Sequence, residues 1–276
     1  MAGPYEAPRD YQARGPAEMD RFGLFSVAAF PDTDARWLNG LEWEPVRGGK
    51  ARGRVAACVD LDYNEQLVPE AGEPYASALP FVVAGEYMCK AASRSVEEAE
   101  ERALDHLAVG EQRAVEHAVA TGELGNEPAF PVATVLGGGP VELPFAVGLL
   151  EEALSEVSGQ VGVLHAQRRF AAHIAAKDFT ASGRARGETM ETKLGNLWSF
   201  GGGYTGTQPE GQPAASPNQF WMYATLRPMI FRSEPWIQPD EEKYLDRATN
   251  DLVILAQRHY LVTWPYETFA VLVDLS

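Results

Sequence analysis

The feature that most limits how this chain can fold is one long helical pattern, SVEEAEERALDHLAVGEQRAVEHAVAT, at residues 95–121. Ser95 with Glu98 three residues on is a capping-box start. Glu97, Glu98, Glu100 and Glu101 put negative charge where the helix dipole favours it. Val96, Ala99, Ala103, Leu107, Ala114 and Ala118 recur near the helical period, with Gly110 on the same face. Gly122 supplies the stop. The span predicts a rod of ~40 Å. Its apolar stripe is narrow and mostly alanine, which suits close packing against a sheet or a neighbouring subunit.

Ahead of it, residues 1–46 carry little periodicity. Pro4, Pro8, Pro16, Pro31 and Pro45 break any regular element, yet Phe22, Leu24, Phe25, Phe30, Trp37, Leu41 and Trp43 set apolar anchors along it. A linker has no such anchors, so this reads as an extended arm pinned across its own body or a neighbour's. Residues 47–92 open with a basic, glycine-rich patch: Arg47, Lys50, Arg52 and Arg54. Segments 55–63 and 79–89 read as strands separated by a polar excursion. Together they form a long protruding hairpin of a kind compact domains seldom contain.

After the helix, 129–136 reads as a strand and Gly137-Gly138-Gly139-Pro140 as a turn. A second amphipathic helix starts at Pro144, carries Ala146, Leu149, Leu150, Ala153, Leu154 and Val157, and closes at Ser158-Gly159. A short buried strand at 161–165 leads to a third helix at 168–177, with Phe170, Ala171, Ile174 and Ala175 on its apolar face. Quick alternation of helix and strand predicts an α/β or α+β layer. Residues 189–200 read as a hairpin arm, followed by Gly201-Gly202-Gly203-Tyr204-Thr205-Gly206 and a loop to about 217. Residues 219–232 read as two strands split by Pro228. Residues 234–246 form a polar connection anchored by Trp236, and 250–264 and 266–275 are closing strands.

The chemistry carried by these segments is sparse. Asp60 and Asp62 form a D-x-D without a third ligand, and read as solvated strand residues. His165 and His173 have no nucleophile or carboxylate at triad spacing, and read as buried structural histidines. The glycine run lacks the Lys-Ser/Thr and following helix of a phosphate loop; it reads as a place where backbones approach closely. A net charge of −16 opposes nonspecific binding to nucleic acid or anionic membrane. No apolar run reaches the ~20 residues of a membrane span. Cys58 and Cys89, the two cysteines, read as reduced, buried thiols of a cytoplasmically made chain.

The order of arm, protruding hairpin, long helix, central α/β region with a glycine-rich loop, and return strands resembles the HK97-like capsid fold of tailed phages and encapsulins. The runs GVLHAQRRFAAHIA (162–175), GGGYTG (201–206) and FWMYATLRPMIFRSE (220–234) are similar to segments of major capsid proteins of actinobacterial phages. The resemblance implies an α+β chain with an N-arm at 1–46, an E-loop at 47–92, and a spine helix and start of the P-domain at 93–130. An A-domain would occupy 131–232 and P-domain return strands 233–276. It implies self-assembly as pentamers and hexamers into an icosahedral head around double-stranded DNA, without sequence-specific binding, and no cofactor, metal or catalytic residue. Subunit contacts are expected at Trp37, Trp43, Arg47, Lys50, Arg52, Arg54, Gly201, Gly202, Gly203 and Tyr204. The glycine loop would approach the fivefold and sixfold axes. With only ~45 residues ahead of the hairpin, a separate scaffolding protein is expected, with a portal and a decoration protein as further partners. Assembly would occur in the host cytoplasm. Lys50 and Asn250 give no basis for assigning a covalent cross-link.

Two other readings compete. An encapsulin-type compartment would share the fold and hold protein cargo beneath the arm. A small α/β enzyme would use Asp60, Asp62 or His165 in a concave pocket with convergent polar groups.

Overall fold

A computed structural model describes residues 21–44, 76–90, 95–177, 189–238, 244–246, 248–265 and 267–275. The predicted strand at 55–63, Asp60, Asp62, Cys58, and the basic patch Arg47, Lys50, Arg52 and Arg54 lie outside the described residues. In chain order the elements are α1 (Leu24–Val27), β1 (Leu41–Trp43), β2 (Ala76–Ala78), β3 (Phe81–Lys90) and α2 (Val96–Thr121). They continue with β4 (Thr134–Val135), β5 (Val141–Glu142), α3 (Leu143–Ser158), β6 (Gly162–Gln167), α4 (Ala171–Ala176), β7 (Met190–Glu191) and β8 (Leu197–Gly201). The last are β9 (Gln219–Leu226), β10 (Met229–Arg232), β11 (Trp236–Gln238), β12 (Leu245–Asp246), β13 (Asp251–Thr263) and β14 (Phe269–Asp274).

The long helix forms as its sequence predicts. Ser95 Oγ accepts from Glu98 N at 3.2 Å, and Gly122 ends the helix in the left-handed region at φ 71°. Its alanine stripe lets it lie close on a five-stranded sheet. In that sheet β13 pairs with β3 along one side and with β10, β11 and β12 in turn along the other. Gly85 is where the two layers come closest: a Cβ there would stand 2.6 Å from Ala103 O and against the Leu107 amide.

A seven-stranded sheet runs in the order β4-β14-β9-β6-β8-β7, with β5 also on β14. Its strands alternate between two cores. Phe220, Met222, Ala224, Val271 and Val273 pack under α3, while Trp221, Tyr223, Ala270 and Leu272 join the core shared with α2 and the five-stranded sheet. Burial on both faces explains why FWMYATL and FAVLV read as continuous apolar runs.

Four details differ from the sequence reading. Gly110 is exposed, because beyond Leu107 the burial moves round α2 to Glu111, Gln112, Val115, Glu116 and Val119, where several elements converge on the helix. Segment 129–136 is a 3₁₀ turn at Phe130–Val132 plus the two residues of β4, since Pro131 interrupts the ladder. His173 is half-buried and Ala175 exposed, as α4 spans only six residues. The division at 232/233 does not follow the sheets: β10 belongs with β13, and β14 returns to β9. Cys89 is a free thiol, half-buried against α2's core.

Candidate assembly surfaces

The described part of the arm is pinned to its own body at short intervals. Phe22 O accepts from Phe200 N at 2.6 Å, Ala29 N donates to Pro228 O at 2.8 Å, and Arg227 Nε donates to Val27 O at 3.0 Å. Trp37, predicted as a subunit contact, is buried against Phe231 and Leu261 of the same chain. The arm ends in β1, which pairs with β2 through Leu41↔Ala78 and Trp43↔Ala76. The described residues stop at Glu44 and resume at Ala76, beside this ladder. Trp43 is half-buried there, and its shielded indole N–H meets no acceptor among the described residues.

Two buried carboxylates on α2 tie the layers together, and sequence periodicity did not reveal either. Glu111 accepts from Arg258 Nη1 at 2.7 Å and from the Tyr260 hydroxyl, with Arg232 Nη1 at 3.9 Å. Burial, then the bond to Glu111, pushes the Tyr260 hydroxyl's pKa up. Glu116, 1% exposed, accepts from Leu24 N and Gly203 N, both at 2.9 Å, and from Gln112 Nε2 at 3.0 Å. One side chain thus holds arm, helix and glycine loop. The only sequence signal was two glutamates inside an alanine-rich stretch.

The glycine loop is a close approach, as expected. A Cβ on Gly203 would collide with the Arg113 carbonyl and come within 2.8 Å of His117 N. Gly201, Gly203 and Tyr204 are buried within this chain; Gly202 is half-buried and Thr205 exposed. The Tyr204 hydroxyl lies 3.0 Å from His165 Nδ1 and 2.8 Å from Ser199 Oγ, and His165 Nε2 lies 2.8 Å from Thr225 Oγ1. Burial raises the Tyr204 pKa, and the Glu116 charge adds to the shift. Burial holds the His165 imidazole down at about 3.

His165 is thus neutral in the fold and would take a proton near 6.5 once unfolded. The unfolded chain binds more protons between those values, so stability is full above ~6.5 and falls as pH drops towards 3. At pH 5 the loss attributable to His165 is expected to be about 2 kcal/mol. Urea unfolding at pH 7 and pH 5 should show a steeper decline for the wild type than for His165→Gln. Parallel declines would remove His165 from the account.

The space beside His165 is ≈ 10 Å³, about enough for one water. A larger cleft of ≈ 640 Å³ lies between Gly137–Pro140 and residues 212–216, over Gln219 and Trp221. Among the described residues no titratable side chain lines it, and Gln219 already bonds Asp274 Oδ2 at 3.4 Å and the Ser216 amide at 3.3 Å. Among the described residues no group of three metal-binding side chains comes together, and no helix is long and apolar enough to cross a membrane.

No protein-family model matches the chain, and no curated protein matches it. Solved structures do. The capsid of a native GTA particle, computed with C5 symmetry, aligns with a TM-score of 0.60 at 11% identity, over 98% of this chain and 96% of that one. The empty-particle capsid gives 0.56 at 12% identity over 98% and 95%. A Gordonia phage Cozz chain gives 0.50 at 11% identity over 98% and 92%. The likeness runs from end to end in both directions, and the chain has the α+β, HK97-like fold of these capsid subunits.

Proposed function

We propose that this chain is a major capsid protein, self-assembling into the icosahedral head that encloses the double-stranded DNA of a tailed phage. The observation that carries the reading is the end-to-end match of fold to capsid subunits at 98% coverage of this chain. Pentamers and hexamers of one subunit are the assembly units, and the role is structural rather than enzymatic. For the basic patch Arg47, Lys50, Arg52 and Arg54, a chain of net charge −16 has acidic partners available on adjacent copies, for weak ion pairs repeated over a lattice. Trp43 offers its indole N–H, which meets no acceptor among the described residues, to a neighbour's acceptor. Gly202 and Thr205, at the outer side of the glycine loop, face the symmetry axes, while Gly201, Gly203 and Tyr204 hold that loop in place. Scaffolding, portal and decoration proteins complete the particle, which assembles in the host cytoplasm.

Negative-stain electron microscopy of the chain, expressed alone and with its genomic neighbours, tests this. Closed shells, or rings of five and six, are expected. Shells filled with protein instead of DNA would move the reading to an encapsulin-type compartment, and a monodisperse monomer or dimer in both cases would overturn it.

A further inference from the structure

Among the described residues the outer edge of β3 has no strand partner. Odd-numbered residues of β13 turn their backbone groups away from β3. Ser233 N donates to His259 O at 3.1 Å, and Val253 N donates to Tyr244 O at 2.9 Å on that far side. The even-numbered residues of β13 therefore bond the odd-numbered residues of β3, their register partners. Val82, Ala84, Glu86 and Met88 are left with amide and carbonyl pointing outwards. Among the described residues none of these groups has a strand partner; Glu86 O alone accepts a side chain, His106 Nδ1 at 2.6 Å.

Natural edges are blunted by brevity, bulges, proline or free lysines. β3 runs ten residues with no bulge and no proline, and its one lysine, Lys90, is spent on Asp251 at 2.8 Å. Two of the outward residues are large, apolar and exposed, Val82 at 40% and Met88 at 67%. Above this edge runs the flank of α2 that carries His106, Gly110 and Arg113, one helical row. A mid-helix glycine weakens a helix, and among the described residues nothing lies within 4 Å of a Cβ at Gly110.

We propose that β3 pairs antiparallel with β3 of a second copy about a twofold axis, joining two five-stranded sheets into one. The register sets Val82 opposite Met88 of the second copy and Ala84 opposite Glu86, with the axis at Gly85. A shift by one pair would place Glu86 against Glu86, like charge on like charge. Glu86 O keeps a second lone pair for the incoming Ala84 amide beside His106. The two α2 helices then run side by side over the joined sheet, where Gly110 leaves room. The contact rests on the shell reading for its strength, since a short ladder is weak alone and adequate when repeated.

Val82→Cys and Met88→Cys chains, mixed and treated with a short thiol-to-thiol cross-linker, should give a dimer joined 82 to 88. Either variant alone should give little, its equivalent positions lying ~20 Å apart. Ala84→Pro deletes an outward N–H and leaves the inner ladder intact; it should keep the wild-type circular dichroism and melt while its assembled fraction falls about tenfold or more. Intact shells without the 82–88 product, or Ala84→Pro shells at wild-type yield, would overturn the pairing. The cross-link is read on shells and on concentrated unassembled subunit alike. A chain that never closes shells therefore fails the shell reading while still answering for the edge.

Discussion

Replacing Gly85 by alanine is expected to destabilise the subunit by about 3 kcal/mol, the upper end of ordinary overpacking. The added carbon would stand 2.6 Å from Ala103 O and closer still to the Leu107 amide. Both atoms are α2 backbone, so no rotamer change can clear the clash; strand and helix must separate. The ladder partner of Gly85 is Ala256, fully buried, so the helix rests on the two smallest side chains available. Urea denaturation of the purified subunit would measure the loss. Gly110→Ala is the matched control, because it lies in the same helix with open space around it. There alanine should stabilise by roughly 0.5–1 kcal/mol. Equal stabilities for wild type and Gly85→Ala would mean that the helix does not approach the sheet as described.

The long helix was legible because its determinants are local. A capping serine, an acidic first turn and a terminal glycine act through neighbours in sequence, and an alanine stripe needs only one sheet to face. The second half of the same helix was not legible. From Glu111 onwards, burial comes from the five-stranded sheet, the glycine loop and the arm at once, so no single stripe survives and Gly110 lies off the buried face that its spacing predicts. The strand runs 219–226 and 269–274 were legible as strands, but not as partners. β14 crosses from one sheet's neighbourhood into the other, and that choice is made by pairing with Trp221 and Met222, far away in sequence. The glycine run signals a close approach in the sequence itself, whereas its partner, the Arg113–His117 turn of α2, is set only by the fold. His165 was read as structural, and its two hydroxyl partners explain why. The contact residues inferred by resemblance divide on a physical line. Trp37 is buried by its own chain and the Tyr204 hydroxyl finds its partners there, whereas the Trp43 indole N–H meets no acceptor among the described residues.

Glu116→Ala is expected to cost about 3–5 kcal/mol, because it removes the acceptor for two buried amides in different elements. Leu24 N and Gly203 N each lie 2.9 Å from a carboxylate oxygen, and neither can reach water once the arm and loop are seated. Each orphaned amide costs about 1–3 kcal/mol on its own. Glu116→Gln is the sharper variant: it keeps the volume but turns one acceptor into a donor, so an N–H must face an NH₂. It should lose most of the same stability, whereas Glu101→Gln, exposed on the same helix, should change it by less than about 0.5 kcal/mol. Hydrogen exchange gives the local readout. In the wild type the Leu24 and Gly203 amides should exchange together, since one side chain holds both, and in Glu116→Gln both should lose protection while Leu164 and Val271 in the sheet core keep theirs. Loss of protection at Gly203 alone would show that the arm is held independently of the helix. If Glu116→Gln matches the wild type in both measurements, the three-way clasp is not what joins arm, helix and loop.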